Sequence, residues 1–188
     1  MMRTFFVLIS LFFAMEAQAQ ITMLRLDMAP RGSFTFWVEH EMKSGFTPEI
    51  LHSTDGWSEL DLGWTFHPMN WLIVKTYLGG LTDGSSFNQV SPILLAFVNY
   101  EQWGAESWAQ GFVDVGDLPV SVFFFREILT YYGFGPWVEG VVGKGFHEIK
   151  AGGVISQELN GGLIFQLRLG SIIEAKQFTW GASLMYFF

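Results

Sequence analysis

The chain contains no cysteine in 188 residues. This excludes a disulfide framework and rules out Cys-based zinc sites, haem attachment and thiol nucleophiles. Charge is sparse: Lys, Arg, Asp and Glu make up 15% of the residues, with a formal net charge of −8. An acidic balance of this kind offers no basic patch to a phosphate backbone and speaks against nucleic acid as a partner. Beyond the N-terminal region there is also no apolar run approaching the roughly 20 residues that a membrane-spanning helix needs. The most apolar internal stretch, Leu118 to Phe125 (LPVSVFFF), leads directly into Arg126 and Glu127. An α-helical membrane protein is therefore not expected. Low-complexity tracts and internal domain boundaries are missing as well.

What is present is apolar and aromatic. Half the residues are apolar and 18% aromatic, with 20 Phe and 8 Trp. The 21 glycines are scattered along the chain, as turns and strand bends require, rather than gathered into a linker. At the N-terminus, Arg3 precedes an apolar run from Phe5 to Ala14, followed by Ala17-Gln18-Ala19. This charged, apolar, small-residue order is that of a secretory signal peptide, and the run is too short for a retained anchor. The expected organisation is a signal peptide over 1–19 and one domain over 20–188.

Within that domain a period-2 rhythm recurs. In Trp57 to Phe66 (WSELDLGWTF) the residues Leu60, Leu62, Trp64 and Phe66 fall on one face, and Glu59, Asp61, Gly63 and Thr65 on the other. Similar alternation marks Ser33–Met42, Trp71–Leu81, Ser91–Glu101, Glu106–Val115, Leu118–Thr130, Gly135–Gly143, Phe146–Gln157, Gly161–Ser171 and Gln177–Phe188. His67 to Asn70 reads as a turn, since Pro68 cannot donate to a ladder. Gly143-Lys144-Gly145 reads either as a turn or as a bend in one long strand. Ile21 to Met28 is either a further strand or a lead-in.

The ending carries the most specific signal. Phe178, Trp180, Ala182, Leu184, Tyr186 and Phe188 alternate with Thr179, Gly181 and Ser183, and the chain stops on an aromatic residue. This resembles the closing strand of bacterial outer-membrane β-barrels. The resemblance implies that Gly181, Leu184, Tyr186 and Phe188 form a signal read by the barrel assembly machinery, and that the protein resides in the outer membrane among its lipids and lipopolysaccharide. The implied fold is all-β: a closed antiparallel up-and-down transmembrane β-barrel of about ten strands, with eight or twelve as alternatives. Closure follows from physics too, because an open sheet edge would expose backbone N–H and C=O groups to hydrocarbon. With the C-terminus periplasmic, 67–70, 102–105, 131–134 and 158–160 become short periplasmic turns. Lys43–Gly56, Thr82–Val90 and Ile172–Lys176 then face outward. Trp57, Trp71, Tyr100, Trp103, Tyr131 and Trp180 are placed where interfacial aromatic girdles belong.

Turning each polar face inward collects Glu39, Glu41, Glu59, Asp61, Glu106, Asp114, Glu139 and Glu148 against Lys75, Arg126, Lys150 and Arg168. At about ten strands the lumen is expected to be filled by such groups in a charge network. The leading function is a small transport or ligand-binding barrel with a polar, net acidic lumen and an unidentified small-molecule ligand. A structural or adhesion barrel is one alternative. The other is a lipid-modifying enzyme: small outer-membrane barrels that act on lipid A pair His with Ser. Here His52 and Ser53 lie in the first outer loop, and His147 lies at a strand end, with Glu148 on the opposite face. His40 and His67 read as solvated surface residues. The His-x-Ser-Asn stretch of lipid A deacylases is absent, and a non-enzymatic role is favoured. Asp55, Glu59 and Asp61 gather oxygen ligands but match no EF-hand loop. No metal and no cofactor are expected.

Overall fold

A computed structural model describes residues 19–82, 87–114, 122–159 and 161–188, with side chains left out at 19–22, 31, 87 and 88. Twelve strands form the wall: β1 Ala19–Ala29, β2 Ser33–Met42, β3 Phe46–Ser53, β4 Ser58–Met69, β5 Leu72–Thr82 and β6 Phe87–Tyr100. The second half comprises β7 Trp103–Asp114, β8 Val122–Tyr131, β9 Phe134–Gly143, β10 Phe146–Glu158, β11 Leu163–Ile172 and β12 Gln177–Phe187. Each strand pairs antiparallel with its neighbours in the chain, and β1 pairs with β12 from Met23 opposite Phe187 to Met28 opposite Ala182. The sheet is thus a closed ring. Both described termini lie at one end, here called the terminal end; the opposite one is the far end.

Twelve strands replace the ten expected, and the two additions are β1 and β3. The segment Lys43–Gly56, expected as one outer loop, is a turn over 43–45, strand β3 and a second turn over 54–57. This inverts β2: Met42 lies at the terminal end rather than the far end. Pro48 hides β3 in the sequence, since proline is disfavoured in a paired strand. It is tolerated because the ladder between β2 and β3 stops at Glu39 opposite Glu49, one residue short of Pro48. A further correction concerns His67 and Pro68, which do not turn the chain. They lie in an irregularity between Phe66 and Met69 within β4, and the turn falls at Asn70 and Trp71. Gly143-Lys144-Gly145 does turn, with Gly145 at φ +85°. The residues expected to begin β8, 118–121, lie outside the described residues, as do 1–18 and 83–86; the rest of the connection expected over 82–90 is strand, Thr82 ending β5 and Phe87 beginning β6.

The turns at the terminal end are tight. Tyr132 and Gly133 join β8 to β9 with both φ values positive, 50° and 77°, the combination that matches the right-handed twist of a hairpin. The Gly133 carbonyl accepts the Ser156 N–H at 2.7 Å, and a Cβ at 133 would meet the Ser156 oxygen at 2.1 Å.

Burial resolves the two faces of the wall. Along β4, Asp61 is 0% exposed while its neighbour Leu62 is 48% exposed. Leu78, Leu94, Leu129, Leu169 and Leu184 continue the apolar outer surface, as the lipid-facing side of a barrel requires. At the terminal end Trp71 meets Tyr100 at 5.8 Å, Trp103 meets Tyr131 at 4.7 Å, and Tyr186 meets Phe188 at 5.4 Å between ring centroids. Trp57 departs from this girdle: it packs inward against buried Trp37, Leu51 and Trp108.

Candidate functional site

The lumen holds the chemistry. On β2, β3 and β4 the residues Glu39, Glu49 and Asp61 are direct cross-strand partners, and all three are buried. Glu39 accepts hydrogen bonds from Lys75 Nζ and from Tyr77 Oη, the latter at 2.8 Å. Above this row, Gln110 Nε2 donates to Glu59 Oε1 at 2.9 Å and to Ser91 Oγ at 2.6 Å. Gly79 makes the room: a Cβ there would lie 2.0 Å from Asp61 Oδ1 and 2.7 Å from Glu59 Oε1. Asp61 lies within carboxyl–carboxyl hydrogen-bond reach of both Glu49 and Glu59.

The opposite wall, β8 to β12 with β1, carries the cations. Arg126 Nη2 lies 2.7 Å from Glu139 Oε2, and Arg126 Nη1 lies 3.7 Å from Glu106. Lys150 reaches Glu139 and Glu148 at 3.2 Å each, and Arg25 Nε donates to Asp27 at 2.8 Å. Arg168 Nη1 donates to Gln166 Oε1 at 2.7 Å, with its guanidinium lying over Gly181.

Between these walls the lumen is apolar and aromatic. Trp37, Leu51, Tyr77, Ile93, Leu95 and Trp108 form one buried cluster, and Ile128, Trp137 and Val154 a second. The Trp37 and Trp108 rings meet edge to face at 4.9 Å. They project from β2 and β7, five strands apart in a ring of twelve, so their contact spans the barrel. Arg25 sits 4.8 Å from the Trp37 ring and Arg126 5.2 Å from the Trp108 ring, a cation–π arrangement that clamps both indoles. On either side of this bar a cavity opens. The far-end chamber, about 490 Å³, is bounded by Trp57, Phe124, Trp137 and Arg168. The terminal-end chamber, about 290 Å³, is bounded by Lys75, Phe97, Glu106 and Gln166. Both chambers share Trp37 and Trp108 as walls. A filled lumen was expected, but twelve strands enclose more space than ten, and the interior is two cavities separated by a waist.

The charged residues expected inward fall as follows. Glu39, Glu41, Glu59, Asp61, Lys75, Glu106, Arg126 and Arg168 are buried, while Asp114, Glu139, Glu148 and Lys150 are partly buried towards the far end. Asp114 receives Gln89 Nε2 at 2.7 Å. The sequence reading missed Arg25, Asp27 and Glu49, because Glu49 sits on β3, taken for a loop, and Arg25 and Asp27 on β1, left open between a strand and a lead-in. Their spacing does carry the signal: Thr47, Glu49, Leu51 and Ser53 alternate with Phe46, Pro48, Ile50 and His52.

The catalytic candidates are rearranged. His52 and Ser53 do not come together. Ser53 is buried in the wall and its Oγ accepts the Asp55 N–H at 3.2 Å, whereas His52 Nδ1 lies 2.8 Å from Ser58 Oγ on β4. His147 does not pair with Glu148. Its Nε2 lies 3.7 Å from Glu174 in the 173–176 turn, where Glu174 Oε2 also accepts the Ile149 N–H at 3.1 Å. That backbone N–H, helped by His147, holds the Glu174 carboxyl below the usual carboxylate range. His40 is buried rather than solvated, and His67 Nε2 lies 2.8 Å from Glu41. Asp55 accepts the Ser33 hydroxyl at 2.6 Å in the far-end turn while Glu59 and Asp61 point inward, so the three acids form no common site. Among the described residues no cluster has the geometry of a metal centre.

No family model and no curated protein sequence matches this chain. Two solved structures share its architecture. One, described as a KdgM porin, superposes with a TM-score of 0.60 at 13% identity, covering 88% of this chain and 98% of that one. The other, a KdgM porin in complex with disordered oligogalacturonate, gives 0.62 at 12% identity with the same coverage. At such identity the likeness is one of fold: that of a bacterial outer-membrane β-barrel.

Proposed function

We propose that this chain is a transport barrel of the bacterial outer membrane, exported by cleavage of the 1–19 signal peptide, with its terminal end periplasmic. Insertion would use the barrel assembly machinery acting on the closing strand, with lipopolysaccharide surrounding the far end. The observation that carries the reading is the arrangement of two lumen chambers meeting at one side-chain contact, Trp37 on Trp108. An unbroken plug would leave no chamber. One of the similar solved structures is a KdgM porin in complex with disordered oligogalacturonate. In this chain inward-facing acids outnumber bases, and Glu39, Glu49 and Asp61 crowd one wall beside the waist. A long polyanion would meet like charge and a blocked path, so a smaller solute suits this lumen. Planar-bilayer recording tests the reading. Small or rare openings are expected for the native protein and a several-fold larger conductance for Trp37→Ala; equal traces from the two would refute a waist at that pair.

A second reading rests on His52 and Ser58. A histidine nitrogen within hydrogen-bond reach of a serine hydroxyl is the minimal arrangement for an activated nucleophile, and the pair sits at the far end of the barrel. Incubation with lipopolysaccharide and mass spectrometry of its acyl chains decides. Loss of an acyl group that disappears in Ser58→Ala would establish hydrolysis, whereas an unchanged pattern removes it.

A further inference from the structure

We propose that the far-end chamber is a binding site for a small aromatic carboxylate, its ring held among indoles and its anionic group on Arg168. This rests on the transport reading for its purpose, but not for its geometry.

Arg168 differs from the other lumen cations. Arg25 is paired with Asp27, Lys75 with Glu39, Arg126 with Glu139, and Lys150 with Glu139 and Glu148. Among the described residues Arg168 has no carboxylate within ion-pair distance, and its side-chain partner is the neutral amide of Gln166. A guanidinium presents five N–H donors in a planar fork suited to a carboxylate. Arg168 is one of the residues that line the chamber, although it is 4% exposed overall. Arg25 Nη2 and Arg126 Nη1 are instead sealed within the protein. Gly181 leaves room for it: a Cβ there would come within 3.1 Å of Arg168 Nη2, and the fork would have to give by a few tenths of an ångström.

The acids of the same chamber do not compete for this role. Asp27 is engaged by Arg25, Glu139 by Arg126 and Lys150, and Glu59 accepts the Gln110 amide. Each holds a donor already, and of the cations lining the chamber Arg126 and Lys150 are ion-paired, which leaves Arg168 as the one without a carboxylate partner among the described residues. The remaining walls are flat and apolar: Trp37, Trp57, Trp108, Phe124 and Trp137 border the cavity. Trp137 is anchored by its indole N–H on the Leu169 carbonyl at 3.3 Å. Trp137 is on β9 and Leu169 on β11, so the ring lies across β10, at Gly152 and Gly153 in the register. No side chain at Gly152 stands in its way. A cavity of about 490 Å³ with an apolar body and one fixed charged donor has the build of a small-molecule site. An aromatic ring gains edge and face contacts with indoles, and a carboxylate completes the fork.

Isothermal titration of the full-length protein, folded in detergent micelles, with phenylacetate, phenylacetamide and acetate tests the proposal. Phenylacetate is expected to bind at least tenfold tighter than the other two. Arg168→Gln should abolish that advantage over phenylacetamide, and Arg168→Lys should restore part of it. Retention of the heat-dependent shift in gel mobility would show that each variant is folded. Equal binding of phenylacetate and its amide by the native protein, or an unchanged phenylacetate affinity in folded Arg168→Gln, would overturn the assignment. The two readings fail separately. A Trp37→Ala conductance increase without phenylacetate binding removes the ligand and leaves the transport barrel, whereas binding without any conductance change removes the transport barrel and leaves the site.

Discussion

Glu139 is the residue on which most of the far-end charge arrangement depends, because one carboxylate serves both Arg126 and Lys150 at 2.7 and 3.2 Å. Removing it leaves the buried guanidinium with only the longer 3.7 Å contact to Glu106, beside the Lys150 ammonium. Glu139→Ala is therefore expected to lose about 3–5 kcal/mol of folding stability, the usual cost of breaking a buried pair from one side, as read by denaturant unfolding in lipid. Ser183 and Leu184 test the two faces of β12. Leu184→Arg places charge in hydrocarbon and should cost about 2–4 kcal/mol. From alternation alone Ser183→Arg would be the mild member of the pair. In the structure Ser183 is fully buried opposite Asp27, so overpacking should cost about 1–3 kcal/mol. Thinning the bilayer should ease the Leu184 variant and leave the Ser183 variant unchanged. Glu174 gives a pH dependence of known sign. Its carboxyl titrates below the ordinary range in the folded state, so its tie to Ile149 is present above the unfolded carboxylate range and is lost as the pH falls through the folded value. Amide exchange at Ile149 should quicken on acidification, and Glu174→Gln should remove most of that acid dependence.

At the scale of elements, the β8–β9 hairpin shows how a turn governs its strands. Tyr132 and Gly133 both adopt left-handed φ, and Gly133 lies against the Ser156 backbone of β10. Gly133→Ala should therefore destabilise the barrel by more than about 1 kcal/mol, with a lower unfolding midpoint as the measure. A Gly145→Ala change meets nothing within 4 Å and should cost less. β4 as far as Phe66 and β12 as far as Leu184 could be read from the sequence because polar-in, apolar-out alternation runs through both stretches. β3 could not, because Pro48 and the polar residues around it look like a loop until the pairing shows the ladder to β2 ending one residue away. His67-Pro68 misled in the opposite direction, since turn chemistry was absorbed by an irregularity inside a continuous strand.

For the whole molecule, closure is the governing fact. β1 completes the ring by pairing with both β2 and β12. A chain beginning at Pro30 would leave β2 and β12 with open edges, which hydrocarbon does not tolerate. Such a chain is expected to give no heat-modifiable folded species, whereas the chain beginning at Gln20 should. The sequence by itself determined the fold class and the inward or outward direction of most strand residues. A period of two and the aversion of backbone groups to lipid are local properties, legible in any ten residues. Strand number, and with it the direction of β2, was decided only by the tertiary structure, because it depends on which segments find partners. So was the character of the lumen. Trp37 and Trp108 are 71 positions apart, and nothing in either strand announces that their rings meet. A ring of twelve brings β2 and β7 face to face, makes a waist of the two indoles, and leaves Arg168 without a carboxylate on the chamber wall.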